Sequence, residues 1–269
     1  MIRPPAVAGQ FYPDNAEELS ALVLQYTREN TPSAKTHAKA CLAPHAGYMY
    51  SGQVAGAVFS HIVLPKKIVI LGVRHSPRGE ALAIVSSGKW RTPLGDVAID
   101  EELAKRIRNA CPTLREDELA HRREHSLEVE LPFLQVLDPG FTFVPVAVGS
   151  IRYPELVEVG EGLARLLLES TAQILVVTSS DMNHYEDEER TRWKDRQAIE
   201  ALERVDASGL YEVCRRESIS MCGLGPAVVM LTALKKLGAK KGQLVKYATS
   251  GDIAGDRERV VGYAGMTFT

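Results

Sequence analysis

The sequence has few cysteines and no dominant sign of charge. Its four cysteines, Cys41, Cys111, Cys214 and Cys222, form no C-x-x-C motif and no regular framework. A disulfide-stabilised fold is therefore excluded, and a reduced, cytoplasmic location is expected. The 32 basic and 34 acidic residues leave a net charge of −2, which gives no electrostatic argument for binding nucleic acid or an anionic membrane.

Long apolar runs and phosphate-binding glycine loops are also missing. No uncharged stretch approaches the ~18 residues of a membrane-spanning helix, and the first residues lack the apolar core of a signal peptide. There is no G-x-G-x-x-G after a strand and no Walker A motif, so we expect no nucleotide site. With 45% apolar and 25% charged residues, the composition is that of a globular protein with a full core.

Short apolar runs alternate with amphipathic stretches along the chain. Branched runs at 67–71 and 173–177 predict buried strands, whereas 14–28 and 155–169 have helical patterns. Because strands are interleaved with helices, we expect an α/β architecture with a largely buried central sheet. No repeat, linker or shift in composition marks a boundary, so residues 1–269 are predicted to form one domain.

Three of the seven histidines lie just beyond predicted strands, namely His45, His75 and His184. Ligands of open α/β sheets bind outside the carboxyl ends of the strands, so these loops are expected to converge on one pocket. Neutral imidazole is a common metal ligand and also a proton shuttle near neutral pH. Placement alone does not separate the two roles, and a single loop histidine is usually only a solvated polar residue.

Cys222 is a fourth candidate. It lies just before a predicted helix that begins near Pro226. The N-terminus of that helix is expected to lower the pKa of the thiol, which favours a thiolate ligand or nucleophile. The alternative is a small buried apolar side chain, which is what most free cysteines are.

The segment His121-Arg122-Arg123-Glu124-His125 is a competing motif. It matches H-x-x-E-H, the inverted zinc-peptidase pattern, which requires both histidines on one face of a helix. The pattern specifies only three residues, and two arginines would border any metal. A charged start to the helix predicted at 126–137 is the simpler interpretation.

Taken together, these residues resemble the Memo-like family, the protein B component of the AmmeMemoRadiSam system. The matching stretches run along the whole chain and include 3–13, 43–52, 124–134, 179–185, 222–223, 247–252 and 261–264. The resemblance implies a single α/β domain with a central mixed sheet flanked by helices, like the class III extradiol (LigB-type) ring-cleaving dioxygenases. Those enzymes hold non-haem Fe(II) with two histidines and one carboxylate.

The resemblance also implies a set of site residues. His45 and His75 match the two histidine ligands, and Cys222 falls where the dioxygenases have their carboxylate. His184 matches their acid–base histidine, and Asp181 accompanies it, orienting it or a bound water. A His/His/Cys set differs from the usual triad because a thiolate is softer and oxidises readily.

Two further positions are singled out by the family pattern. Arg74 precedes the second histidine where the family often has Asn or Ser, so its guanidinium would oppose a cation or attract an anionic substrate. His125 belongs to the family's Glu-His-Ser stretch, whereas His121 does not. His125 is therefore a candidate for the pocket or for the groups that support it.

The resulting expectation is a metal-binding protein, in the first place a non-haem iron redox enzyme with Fe(II) as cofactor. Copper and zinc are the other metals considered, since two histidines and a cysteine also resemble a copper set. The alternative is a catalytically vestigial adaptor protein. Its partners would be AMMECR-like and radical-SAM proteins, which the family association suggests.

Overall fold

One large mixed sheet is the scaffold of the molecule, as seen in a computed structural model that describes residues 1–29 and 32–269. The described residues contain twelve strands: β1 (Ile2–Arg3), β2 (Ala40–Ala43), β3 (Lys67–Val73), β4 (Leu82–Ile84), β5 (Lys89–Thr92), β6 (Gly95–Ala98), β7 (Arg115–Glu116), β8 (Thr142–Val148), β9 (Ile174–Ser179), β10 (His184–Glu186), β11 (Gly242–Thr249) and β12 (Val260–Phe268).

Helices flank this sheet. In the same residues they are α1 (Ala16–Arg28), α2 (Tyr48–Ser60), α3 (Glu101–Ala110), α4 (Leu131–Leu137), α5 (Tyr153–Glu169), α6 (Glu188–Glu203), α7 (Ala207–Arg216), α8 (Leu224–Lys236) and α9 (Ser250–Ala254), with one 3-10 turn at Glu128–Glu130. Helices α2 and α8 pack on the sheet, while α5 packs on α8 and α1 packs on α2.

The centre of the sheet is parallel. Strands β2, β9, β3 and β8 are neighbours in that order and all run in one direction. Their apolar runs are buried, as expected for strands covered by helices. Antiparallel strands complete the sheet on both sides, with β12 beside β2 and β4 beside β8.

The register brings the ends of three central strands to the same level. Ala43 at the end of β2 pairs with Ser179 at the end of β9, and Thr178 pairs with Leu71 near the end of β3. The loops that follow these three strands therefore begin at the same edge of the sheet. This edge is where the sequence predicted the pocket.

The predicted architecture is confirmed: the molecule is a single-domain α/β protein with a mixed sheet between helices. The helices predicted at 14–28 and 155–169 correspond to α1 and α5, and Asn15 caps α1 by accepting N–H bonds from Glu17 and Glu18. In the described residues, no helix is both long and apolar enough to cross a bilayer.

One sequence prediction needs correction, and one part of the fold was not predicted. The helix predicted over 126–137 begins only at Leu131, after the 3-10 turn, since the preceding residues form turns against β3. The small sheet β1-β5-β6 was not predicted. Its strands have only two to four residues, which is too short for an alternating pattern to be recognised.

Candidate metal centre

Three imidazole rings meet at the carboxyl edge of the central strands. One ring nitrogen from each of His45, His75 and His125 lies within 4.8 Å of the other two. The rings of His75 and His125 are stacked, with centroids 4.5 Å apart, and His45 meets both edge-on at 5.3 and 5.5 Å. Two predicted ligands thus converge, and His125 joins them.

His45 is the buried member of the cluster, with 2% of its surface exposed. Its Nδ1 lies 2.8 Å from Ser179 Oγ, and its backbone N–H donates to Asp181 Oδ1 at 2.8 Å. Burial, followed by the neighbouring His75, lowers the pKa of His45 to about 3. The ring is therefore neutral at physiological pH and can offer a lone pair to a metal.

His75 is held by the buried carboxylate of Glu124. Its backbone N–H donates to Glu124 Oε2 at 2.7 Å, and its Nδ1–H donates to Oε1 at 2.8 Å. Burial raises the pKa of Glu124, but the hydrogen bonds from His75 and Ser126 outweigh it and lower that pKa to about 2. An ionised carboxylate fixes the tautomer of His75 and leaves Nε2 free to bind.

His125 reaches the cluster because its turn is attached to β3. Ser126 Oγ accepts the N–H of Val73 at 2.9 Å and donates to the carbonyl of Val73 at 3.2 Å. A Cβ on Gly72 would lie 2.5 Å from the side chain of Leu127, so only glycine allows the turn to approach so closely. Burial, followed by His45, lowers the pKa of His125 to about 4.

Cys222 lies beside the cluster, with Sγ 3.2 Å from His45 Nε2. The Asp181 backbone N–H donates to the same sulfur at 3.2 Å. Burial, followed by the charge of Asp181, raises the pKa of the thiol, which is opposite to the effect expected from the N-terminus of α8. Cys222 is not among the three side chains of the close cluster, and its role as a ligand stays a prediction.

His184 and Asp181 border the cluster, but the described hydrogen bonds do not join their side chains. The His184 ring donates from Nδ1 to the Ser220 carbonyl at 3.0 Å, and its backbone N–H donates to Ser220 Oγ at 2.8 Å. Asp181 is 6% exposed, and burial raises its pKa although the N–H of His45 acts against this. Ser220 orients His184, and the expected role of Asp181 toward His184 or a bound water stays a prediction.

The H-x-x-E-H motif does not form a helix. Residues 118–127 form turns, and the His121 ring donates from Nδ1 to the Asp117 carbonyl at 2.8 Å while packing edge-on against Trp90. The two histidines therefore do not share a helical face, which removes the geometry that the peptidase interpretation needs. Of this motif, Glu124 and His125 belong to the centre.

Arg74 does not face the cluster as a free cation. Its Nη1 donates to the carbonyl of Gly79 at 3.1 Å and contacts that of Arg78 at 3.4 Å, both within its own loop. Sequence reasoning also missed Glu124 and Ser179 as the groups that orient the histidines. The only sequence signals for them were the Glu-His-Ser stretch, which contains Glu124, and the small residues at the end of β9, which include Ser179.

The whole chain is similar to known proteins. The family profile described as Memo-like protein matches residues 3–267. The chain belongs to the Memo-like family. A MEMO1 family protein of Methanopyrus kandleri is 41% identical over 280 residues, covering 100% of this chain and 99% of that protein. Another, from Aquifex aeolicus, is 44% identical over 268 residues, covering 99% of each chain.

A solved structure shares the overall fold of this chain. The crystal structure of an uncharacterized protein, JW3007 from Escherichia coli K12, aligns with a TM-score of 0.51 at 13% identity, covering 83% of this chain and 98% of that one. At this identity the match shows the fold alone. The family resemblance expected from the sequence is confirmed by the profile and the relatives.

Proposed function

We propose that this Memo-like protein holds a redox-active transition-metal ion, in the first place iron, on His45, His75 and His125. The convergence of three imidazole nitrogens within 4.8 Å supports this proposal. Nitrogens that bind one ion at ~2.1 Å lie within about 4.2 Å of each other, so small side-chain shifts would complete the site. Cys222, in contact with His45, is proposed as a further donor.

The chemistry of the donors fits such an ion. Ser179 and Glu124 engage Nδ1 of His45 and His75, respectively, so Nε2 is the nitrogen that each ring can offer to a metal. Imidazole suits iron, copper and zinc, and a thiolate adds a soft donor that favours a redox metal. The lowered pKa values of His45 and His125 keep both rings neutral and ready to bind.

A bound iron ion would supply electron transfer with oxygen or an organic substrate. His184 would accept the proton of a substrate hydroxyl, because its Nδ1–H donates to the Ser220 carbonyl and leaves Nε2 free for that hydroxyl. Asp181 would keep His45 in place, because its Oδ1 accepts the backbone N–H of His45; burial raises the pKa of this carboxyl. By family resemblance we propose an aromatic diol as the class of substrate.

The alternatives give different outcomes in the same test. Copper or zinc would occupy the same donors. A protein that binds no metal would be the adaptor for AMMECR-like and radical-SAM proteins expected from the family association. The cytoplasmic location remains part of the proposal.

The experiment begins with untagged protein purified without oxygen and analysed by elemental mass spectrometry. We expect near-stoichiometric iron, which His45→Ala and His125→Ala remove. Failure to retain iron or to take up Fe(II), Cu(I) or Zn(II) would contradict the metal proposal. Zinc alone would contradict the redox assignment.

The second stage separates binding from turnover. Oxygen consumption is measured with the iron-loaded protein and a series of catechols. His184→Ala should keep the metal and lose oxygen consumption, while Cys222→Asp should keep both because it supplies the carboxylate of the related enzymes. Metal retention without oxygen consumption for any diol would show that the proposed reaction is wrong.

A further inference from the structure

A cavity separate from the metal centre lies between the small sheet and the turns at 118–122, with a volume of about 450 Å³. Its apolar lining comes from Ile2, Val85, Trp90, Ile99 and Leu119. A volume of this size and an apolar wall are typical of sites for small organic molecules. The cavity and the histidine cluster have no lining residue in common.

His121 provides an unpartnered polar atom in the cavity wall. The side chain is 1% exposed, and its Nε2 is buried without a hydrogen-bond partner. Because Nδ1 faces the carbonyl of Asp117 at 2.8 Å, Nδ1 must carry the proton and Nε2 must be a bare acceptor. Burial lowers the pKa of His121 to about 4, so Nε2 stays unprotonated at neutral pH.

A buried acceptor without a partner is destabilising, so a native protein rarely keeps one without a reason. A hydroxyl or N–H group of a ligand would satisfy His121 Nε2. Trp90 contacts the His121 ring edge-on at 6.0 Å but is almost fully buried, so the apolar surface open to a ligand comes from Ile2 and Leu119. The wall therefore favours an apolar molecule that carries one hydrogen-bond donor.

More basic than acidic side chains are exposed at the mouth of the cavity. Lys89 and Arg122 are exposed there, with Glu118 as the opposing acid. Arg3 also lines the cavity, but its guanidinium lies over Trp90 and pairs with the buried Glu128 at 2.6 Å. In the described residues, no ion pair engages Lys89 or Arg122. An anionic group of a ligand would be attracted to this mouth.

We propose that this cavity binds a small amphipathic anion, with its apolar body on Ile2 and Leu119, a hydroxyl or N–H donor on His121 Nε2, and its anionic group near Lys89 and Arg122. The site is separate from the metal centre. The proposed binding at this cavity can therefore be tested independently of the proposed redox function.

Three probes separate the parts of this proposal. 6-Hydroxy-2-naphthoate carries the apolar body, the donor and the carboxylate, whereas 2-naphthoate lacks the hydroxyl and 2-naphthol lacks the carboxylate. Affinities are measured by calorimetry on metal-free protein. In a Trp193→Phe background, the emission of Trp90, the other of the two tryptophans, reports whether the probe lies in the cavity.

We expect saturable binding of 6-hydroxy-2-naphthoate with quenching of Trp90. Loss of the hydroxyl in 2-naphthoate should weaken binding about three- to tenfold, the usual range for one neutral hydrogen bond. His121→Phe should remove that difference while leaving the affinity for 2-naphthoate unchanged. Lys89→Gln and Arg122→Gln should weaken both carboxylates but not 2-naphthol, and high salt should reduce this effect.

A variant at an exposed position is included because it is not expected to disturb folding, so a change in affinity can be attributed to the cavity. Leu119 is 48% exposed, so Leu119→Glu should fold normally and weaken both carboxylates. His45→Ala should change none of the affinities, because it lies in the other site. The proposal is overturned if no probe quenches Trp90 saturably, if His121→Phe leaves the hydroxyl preference intact, or if His45→Ala abolishes binding.

Discussion

The carboxylate of Glu124 holds His75 at two points, accepting its backbone N–H at 2.7 Å and its Nδ1–H at 2.8 Å. The same carboxylate accepts the N–H of Ser126 at 2.9 Å and lies 3.7 Å from Nδ1 of His125. One buried acid thus orients one histidine of the cluster and the turn that carries another. The metal centre depends on this acid as much as on its ligands.

Glu124→Gln should weaken metal binding without unfolding the protein. The backbone and the ring of His75 donate to different oxygens of Glu124, and in the amide one of these atoms becomes an NH₂ donor, so one of the two bonds is lost. Loss of such a supporting group typically lowers metal affinity about 10–100-fold, measured by competition with a chromophoric chelator. Glu116→Gln, on the exposed strand β7, is the matched control. Equal affinities of both variants would contradict a supporting role for Glu124.

His125→Ala should lower the bound metal more than any histidine substitution outside the cluster. His125 is one of the three convergent nitrogens, whereas His37 is exposed and lies elsewhere. Metal content by elemental mass spectrometry should therefore fall for His125→Ala and stay at the wild-type level for His37→Ala. Full metal content in His125→Ala, together with loss in Cys222→Ala, would restore the His/His/Cys set in place of the three-histidine set.

Asp195 should make the free energy of unfolding depend on pH. It accepts the N–H of Asn183 at 2.8 Å and the hydroxyl of Tyr247 at 2.7 Å, and burial raises its pKa to about 7. The unfolded value is near 3.9, so between pH 4 and 7 the folded state binds the extra proton. This contribution to stability is complete below pH 4 and is lost as the pH rises through 7, by up to about 4 kcal/mol.

Asp195→Asn isolates that contribution. Urea unfolding from pH 4 to 8 should show the wild type losing stability relative to the variant, since the amide cannot ionise. Tyr247→Phe removes a hydrogen bond that lowers the pKa of Asp195, so it should move the loss to higher pH. Parallel curves for the wild type and Asp195→Asn would mean that Asp195 does not titrate in this window.

Gly262 should not tolerate a side chain. A Cβ at this position would overlap Oδ2 of Asp195, and the backbone N–H of Gly262 donates to the Asn183 carbonyl at 2.9 Å. Gly262→Ala should therefore destabilise the protein by about 1–3 kcal/mol, the usual range for overpacking. Urea unfolding measures the change.

The double variant Gly262→Ala/Asp195→Ala tests the cause. Removal of the Asp195 carboxylate relieves the overlap, so the double variant should lose less stability than the two single variants together. Additive losses would show that the effect of Gly262→Ala arises elsewhere.

Some parts of the site could be predicted from local pattern. His45 and His75 follow branched, buried runs, and such runs form parallel strands whose ends line one edge of the sheet. His125 gave a weaker signal, because it follows a charged segment that has no strand. Glu124 and Ser179 gave almost none, since a polar residue in a loop looks the same whether it is solvated or holds a ligand.

The sequence by itself determined the α/β class, the order of the main strands and helices, and the family, because these depend on local apolar patterns and on motifs spread along the chain. Only the tertiary structure decided which side chains meet. The Ser126 contacts with β3 bring His125 to His45, and burial raises the pKa of Cys222 against the effect of its helix. Distance and desolvation arise from the packing of residues far apart in the chain, and local patterns do not encode them.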